Sequence, residues 1–284
     1  MFADAVALAR KFTRPVVTAV LYPDGSLGSM LGAFVIVNAD GWILTANHIL
    51  DGYTKLADAK QRYAEYEQQR ADIQQNPGLL SEQKKTRLRK LGPPPKDAIR
   101  DFAFWWGDDQ WQFSEAHAVD QADLALCKLE NFTGISTYPT FKDPSKGVDP
   151  GTSLCRLGFP FTDVTVTHNG TAFSVDASKA VFFPNEGMFT RTITFSTNPL
   201  VAHIETSSPG LRGQSGGPIF DRKGIIWGIQ SVTGHLALGF SPAVPNGKVG
   251  EVEHQFLNVG RGAHPETMAN LLQGQGIAFS LSSY

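Results

Sequence analysis

The sequence predicts an all-β protein of two six-stranded antiparallel β-barrels, with an inserted helical hairpin and a closing C-terminal helix. Three observations predict this class. Most of the chain consists of short runs rich in β-branched and aromatic residues, separated by Gly, Pro, Asn and Asp. Only one internal segment has helical spacing, and the length of 284 residues is sufficient for two barrel-sized lobes.

The first lobe is predicted over residues 1–149. The turn signals PDGS and NADG separate its first three runs, as expected for strands that follow one another in a meander. The six predicted strands are residues 15–22, 29–37, 41–47, 101–106, 110–119 and 123–129.

The second lobe is predicted over residues 150–284, after the joint formed by Pro150 and Gly151. A closing helix is expected in 264–276, where a proline stands near the start and a glycine at the end. The six predicted strands are residues 153–159, 164–168, 188–195, 201–206, 217–221 and 225–232.

Residues 55–92 interrupt the first lobe with apolar residues at steps of three and four, which indicates helix. Asn76, Pro77 and Gly78 divide the segment, and Ser81 is placed to begin a second helix. Two interpretations remain open. The segment is either a solvent-exposed insertion that packs only on its own barrel, or a docking surface for a regulatory protein.

Composition excludes several classes. A net charge of -2 provides no basic field for nucleic acid or an anionic membrane, and no apolar run is long enough to span a bilayer. The N-terminus lacks the charge order of a signal peptide, and Cys127 and Cys155, the only cysteines, lie in apolar runs. We therefore expect a cytoplasmic protein. The histidines outside the catalytic motifs described below lack zinc-ligand spacing, so no metal or cofactor is expected.

The most specific motif is GQSGGP, residues 213–218. A serine hydroxyl becomes nucleophilic only when a base accepts its proton, and the oxyanion it creates needs preorganised donors. Glycines beside Ser215 allow the N–H groups of Gly213 and Ser215 to converge on one oxygen. Taken alone, the string could also be a glycine-rich turn before a strand.

The same string fits the nucleophile elbow of α/β-hydrolases, but two observations exclude that fold. An elbow leads into a helix, whereas Gly217 and Pro218 lead into strand-type sequence. The hydrolase order also needs an acid and then a histidine after the serine, and the only later aspartate is Asp221, six residues on.

The reverse order is present upstream, with His48 in LTANHIL and Asp123 in DLALCKL. With these strings the chain resembles the chymotrypsin-fold serine peptidases, especially the trypsin-like peptidases of bacterial type and the high-temperature-requirement proteases. The resemblance covers roughly residues 15–50, 101–130 and 150–275. It implies that His48 is the general base, that Asp123 orients it, and that Ser215 is the nucleophile. Taken singly, His48 could be a core histidine and Asp123 a turn acid; Asp120 is the only close rival acid.

The resemblance also implies a substrate pocket between two walls. No aspartate stands at or near Pro209, where trypsin-like enzymes select basic side chains, so we expect an uncharged residue before the scissile bond. The expected walls are Ser208, Pro209 and Gly210 on one side and Ser231, Val232 and Thr233 on the other.

Gln214 occupies the place where zymogen-type relatives carry an aspartate that pairs with a newly cut N-terminus. Activation by that ion pair is excluded, and we expect gating by loop ordering around 205–214, through a partner at the insertion. The expected function is a serine endopeptidase acting on protein or peptide substrates. The alternatives are a peptidase-like module that binds without cleaving, and ester hydrolysis or acyl transfer by the same residues.

Overall fold

The structure, a computed structural model, describes residues 1–107, 112–162, 164–238, 243–245, 252–254 and 256–284. Its described part is mostly β, with two sheets that carry the candidate site between them and a small number of helices.

The first sheet is antiparallel and curled, and its strand order is β4-β1-β2-β3-β6-β5. All five residues of β3 and five of the six in β6 are buried, because both strands lie centrally in the sheet. All six predicted strands are confirmed, although the first two residues of the predicted run 110–119 lie outside the described residues. The strands are β1 Thr13–Leu21, β2 Leu27–Ile36, β3 Trp42–Ala46, β4 Asp101–Trp106, β5 Phe113–Val119 and β6 Leu124–Leu129.

The second sheet contains a closed ring of six antiparallel strands in the order β13-β8-β11-β12-β17-β14, closed by pairing of β14 with β13. The short strands β7 and β18 extend it in parallel orientation. The strands that follow the first sheet are β7 Thr140–Phe141, β8 Ser153–Gly158, β9 Thr165–His168, β10 Phe173–Asp176, β11 Phe183–Thr197, β12 Leu200–Thr206, β13 Pro218–Phe220, β14 Ile226–Ala237, β15 Ala243–Pro245, β16 Val252–His254, β17 Phe256–Ala263 and β18 Ser280–Leu281.

One predicted strand of the second barrel lies elsewhere. The run 164–168 forms β9, which pairs with β10 in a separate two-stranded hairpin. The sixth strand of the ring is β17, whose sequence FLNVGRGA was not predicted as a strand because two glycines and an asparagine weaken its β propensity. Those glycines are needed because other parts of the barrel approach closely: a Cβ at Gly260 would lie 2.5 Å from Arg156 Nη2.

The helices are α1 Ala3–Ala9, α2 Asn47–Gln75, α3 Ser81–Leu91 and α4 Pro265–Gly274, with 3₁₀ turns at Asp120–Ala122 and Pro144–Lys146. The helical hairpin and the closing helix are therefore present as predicted. The first helix of the hairpin begins at Asn47 rather than near residue 55, so it starts directly after β3 and carries His48 in its first turn.

A hydrophobic core joins the two sheets. Leu44, Leu124 and Leu126 of the first sheet pack in one cluster with Leu157 and Phe220 of the second. Each fully buried side chain of this kind contributes about 1.5–3 kcal/mol relative to an exposed one. The division of the chain at residues 149 and 150 stays a prediction; β7 pairs with strands of the second sheet although it precedes that point.

Candidate active site

His48 and Asp123 meet at the end of β3. The Nδ1 atom of His48 lies 2.8 Å from Asp123 Oδ2, and the backbone N–H of His48 donates to Asp123 Oδ1 at 2.7 Å. Asp123 can face His48 because it has a left-handed backbone conformation, with φ 47°, between the 3₁₀ turn and β6. The two contacts fix the imidazole orientation, and among the described residues Nε2, the other ring nitrogen, has no hydrogen-bond partner.

The carboxylate of Asp123 receives a third hydrogen bond, from Ser231 Oγ at 2.6 Å. Burial acts to raise the pKa of Asp123, but the hydrogen bonds from the His48 ring, from Ser231 and from the His48 backbone outweigh it and lower the pKa. The rival acid Asp120 instead accepts a hydrogen bond from Asn47 Nδ2 at 3.1 Å. Asp123, and not Asp120, is therefore the acid that contacts His48.

Ser215 lies in a tight loop that connects the second lobe to the first. Its carbonyl accepts a hydrogen bond from Ala33 N at 2.7 Å, and its hydroxyl lies 3.4 Å from the carbonyl of Ser231. Gly213 precedes it with φ 90°, and a Cβ there would lie 2.5 Å from the carbonyl oxygen of Phe159. The loop therefore requires glycine at this position for both its backbone conformation and its space.

His48 and Ser215 line one pocket of about 320 Å³. Its other lining residues include Ile49, Gly52, Lys55 and Leu56 of α2. Among the described residues, no hydrogen bond joins the His48 ring to Ser215 Oγ. The structure thus brings all three predicted residues to one cleft, with the serine hydroxyl turned to Ser231.

The predicted oxyanion donors are the backbone N–H groups of Gly213 and Ser215. Within the described part of the chain neither N–H donates to a protein acceptor, whereas the neighbouring N–H groups of Gln214 and Gly216 do. Both N–H groups therefore remain available to a bound oxygen.

The two predicted walls of the substrate pocket are adjacent. Thr233 Oγ1 donates to the carbonyl of Gly210 at 2.6 Å, which links one wall directly to the other. On the first wall, the carbonyls of Ser208 and Pro209 accept hydrogen bonds from Arg156. Val232 is 43% exposed, so its side chain lies at the surface of the second wall.

Three residues support the site through contacts that sequence reasoning missed. Gln214 is fully buried, accepts from Leu211 N at 3.0 Å and donates to the carbonyl of Phe183 at 3.2 Å. His203 donates from Nε2 to the carbonyl of Ala122, next to Asp123, at 2.8 Å. Arg156 carries a charge inside an otherwise apolar strand, and that anomaly in the sequence was the signal that could have identified it.

No group of histidine, cysteine and acidic residues suited to a metal ion occurs in the described ranges. Cys127 and Cys155 are free, buried thiols, and burial raises their pKa values to about 12 and about 11. Of the helices that the structure describes, none is long and apolar enough to cross a membrane.

Two antiparallel β units that share one cleft define the chymotrypsin-like class of serine proteases. A profile of the trypsin-like peptidase domain matches residues 32–229, which is more than half of the chain. The chain therefore belongs to the trypsin-like peptidase family. No significant match exists among curated protein sequences.

Solved structures with the same fold include the Rv3671c protease from M. tuberculosis in its active form, at 12% identity and a TM-score of 0.50, covering 98% of this chain and 86% of that one. A variant of the HtrA-type protease AlgW with a tripeptide is also similar, at 18% identity and a TM-score of 0.48, covering 98% of this chain and 64% of that one. At 12% identity, the similarity to the Rv3671c protease supports only the assignment of the fold.

Proposed function

We propose that the chain is a serine endopeptidase that cleaves peptide bonds through an acyl-enzyme on Ser215. The observation that carries the proposal is the contact of 2.8 Å between His48 Nδ1 and Asp123 Oδ2, with Ser215 lining the same pocket as the imidazole. With Nδ1 donating to Asp123, Nε2 of His48 is the base for the serine proton.

The reaction then follows from these groups. Ser215 Oγ attacks the scissile carbonyl carbon while its proton passes to His48 Nε2, and the N–H groups of Gly213 and Ser215 stabilise the oxyanion. His48 returns the proton to the leaving amine as the C–N bond breaks. Water, deprotonated by His48, hydrolyses the ester and releases Ser215.

We further propose that activity is gated by ordering of residues 205–214, through a regulatory protein at the helical insertion. The supporting observations are the position of Ser215 Oγ near the carbonyl of Ser231 and the hydrogen bond from Thr233 to Gly210 between the pocket walls. Productive binding requires the hydroxyl to turn toward His48 and the walls to separate. A cytoplasmic location stays a prediction, consistent with two free cysteines.

A fluorophosphonate probe tests the catalytic proposal. The protein should be labelled and should cleave peptides, and Ser215→Ala should abolish both, because only an activated serine reacts with the probe. Ser178→Ala, which changes an exposed serine in a loop, is the matched control and should retain both. Cleavage of esters without cleavage of peptides would identify an esterase or acyl transferase instead. Absence of labelling and cleavage with every candidate partner would favour a binding module.

A further inference from the structure

Arg156 is a buried cation in the second barrel. It lies in β8 with a relative exposure of 1%, and burial lowers its pKa to about 10, so it remains charged at neutral pH. Its Nη1 atom donates to the carbonyls of Ser208 and Pro209 at 2.9 and 2.8 Å and to Ser208 Oγ at 2.8 Å; Nη2 donates to Thr206 Oγ1.

No carboxylate neutralises this charge within the described residues. All the acceptors of Arg156 there are uncharged, and its buried Nε has no hydrogen-bond partner. The nearby acid Glu205 is used by two other arginines, Arg191 and Arg261. A buried charge without a counter-ion is costly, and charged side chains are almost never fully buried unless they are paired.

The guanidinium contacts one wall of the predicted pocket and lies beside Gly260, whose strand pairs with the other wall. Its acceptors Ser208 and Pro209 form one wall, and its Nη2 would lie 2.5 Å from a Cβ at Gly260. Gly260 in turn pairs with Thr233 of the other wall. A side chain that enters between the walls, replacing the hydrogen bond from Thr233 to Gly210, would therefore end at Arg156.

We infer that Arg156 is the specificity-determining residue of this pocket and selects substrates with Asp or Glu immediately before the scissile bond. The substrate carboxylate would supply the missing counter-charge and accept from the unused Nε–H. This inference rests on the proposed function. The sequence led us to expect an uncharged residue before the scissile bond, because no aspartate stands at or near Pro209. That expectation did not take the buried charge of Arg156 into account.

The test compares three peptide substrates that differ only in the residue before the scissile bond: Glu, the isosteric Gln, and Lys. Charge-assisted hydrogen bonds predict a kcat/KM for Glu about ten- to a hundredfold above that for Gln. In Arg156→Gln the ratio of Glu to Gln should fall to about one, because the amide cannot supply the charge. The matched control is Arg191→Gln, an exposed arginine of the same barrel, which should keep the wild-type ratio.

The ratio separates specificity from folding and from the proposed function. A general loss of stability in Arg156→Gln would lower both rates together, whereas loss of the specificity determinant changes their ratio. If Arg156→Gln does not fold, the inference is tested by the wild-type protein alone, through its ratio of kcat/KM for the Glu and Gln peptides. Equal kcat/KM values for the Glu and Gln peptides, or a preference for Lys, would overturn the inference. The proposed function would still stand if Ser215 were labelled and peptides were cleaved. Absence of both labelling and cleavage would overturn the proposed function and this inference with it.

Discussion

In the proposed mechanism, the chemistry of the site depends on how the Asp123 carboxylate is positioned. A non-glycine residue in the left-handed region carries a backbone cost, and at Asp123 three hydrogen bonds to the carboxylate compensate for it. These bonds come from His48 in the first lobe and Ser231 in the second. The acid is therefore preorganised by both halves of the molecule.

The substitution Asp123→Asn tests this role. The new side chain would present an amide to His48, favour the wrong imidazole tautomer and lower kcat by about 10⁴-fold. The neighbouring substitution Asp120→Asn is the control, and its kcat should stay within about twofold of wild type because it contacts Asn47 rather than His48. Stopped assays on a peptide substrate measure both. Equal losses in the two variants would contradict the assignment.

At the residue scale, sequence reasoning can propose a site residue where the chemistry requires a short local string. Ser215 is recognisable because its loop needs glycine beside the nucleophile, and Asp123 because it heads a buried strand. The environment of Arg156 could not be predicted in the same way. Its partners Thr206, Ser208 and Gly260 are distant in sequence, and only strand pairing brings them to it.

At the scale of elements, α2 connects the helical insertion to the site. The sequence predicted its start near residue 55, where regular apolar spacing begins, because the residues before it resemble the end of a strand. The helix in fact begins at Asn47, and its first turns carry His48 and four other pocket residues. A single helix of 29 residues thus runs from the proposed base His48 toward the tip of the insertion.

Shortening the insertion tests the gating proposal. Tyr66 Oη donates to the carbonyl of Gly92 at 2.9 Å, so a short Gly-Ser linker can replace residues 67–91 without moving the helix below it. The variant keeps the ion pair of Lys60 with Asp101. We expect basal peptide cleavage within about twofold of wild type. Stimulation by cell lysate should be lost.

The comparison needs Ser215→Ala protein in the same lysate, so that proteolysis by other enzymes can be subtracted. If the shortened and full-length proteins respond to lysate equally and have the same basal rate, the insertion is not a regulatory surface. The remaining interpretation is then a solvated excursion packed on its own lobe.

At the scale of the whole molecule, two buried histidines link folding to pH. His203 and His264 are 4% and 5% exposed, and burial lowers both pKa values, that of His264 to about 4. Because the folded state disfavours their protonation, the unfolded chain binds more protons below pH 6.5. The free energy of unfolding should therefore fall from pH 6.5 toward pH 4.

His264→Asn measures this effect, because Asn can still accept from Glu266 N at the start of α4 but does not titrate. Between pH 7 and pH 5 the wild type should lose about 2 kcal/mol more than the variant. Urea unfolding in the Ser215→Ala background, which prevents self-cleavage, gives the values. The exposed His235→Asn is the control and should behave as wild type. An identical pH dependence for His264→Asn would contradict the prediction.

The overall architecture was predictable because periodicity and turn residues are local, and all six strands of the first sheet and the closing helix follow them. The strands of the second ring were harder to predict. Its strand β17 contains Gly260 and Gly262, because a larger side chain at these positions would collide with Arg156 and with the carbonyl of Ile229. Such glycines lower the local β propensity, although tertiary packing requires them. A local sequence pattern does not show which glycines are required in this way.

The distribution of the catalytic groups along the chain also affects biosynthesis. During translation the segment with His48 and Asp123 emerges well before Ser215, and the nucleophile loop is anchored to the earlier lobe through Ala33 N. A nascent or C-terminally truncated polypeptide that ends before residue 215 is therefore proteolytically silent. The proposed active site can assemble only after residue 215 has been synthesised and the later lobe has docked onto the earlier one.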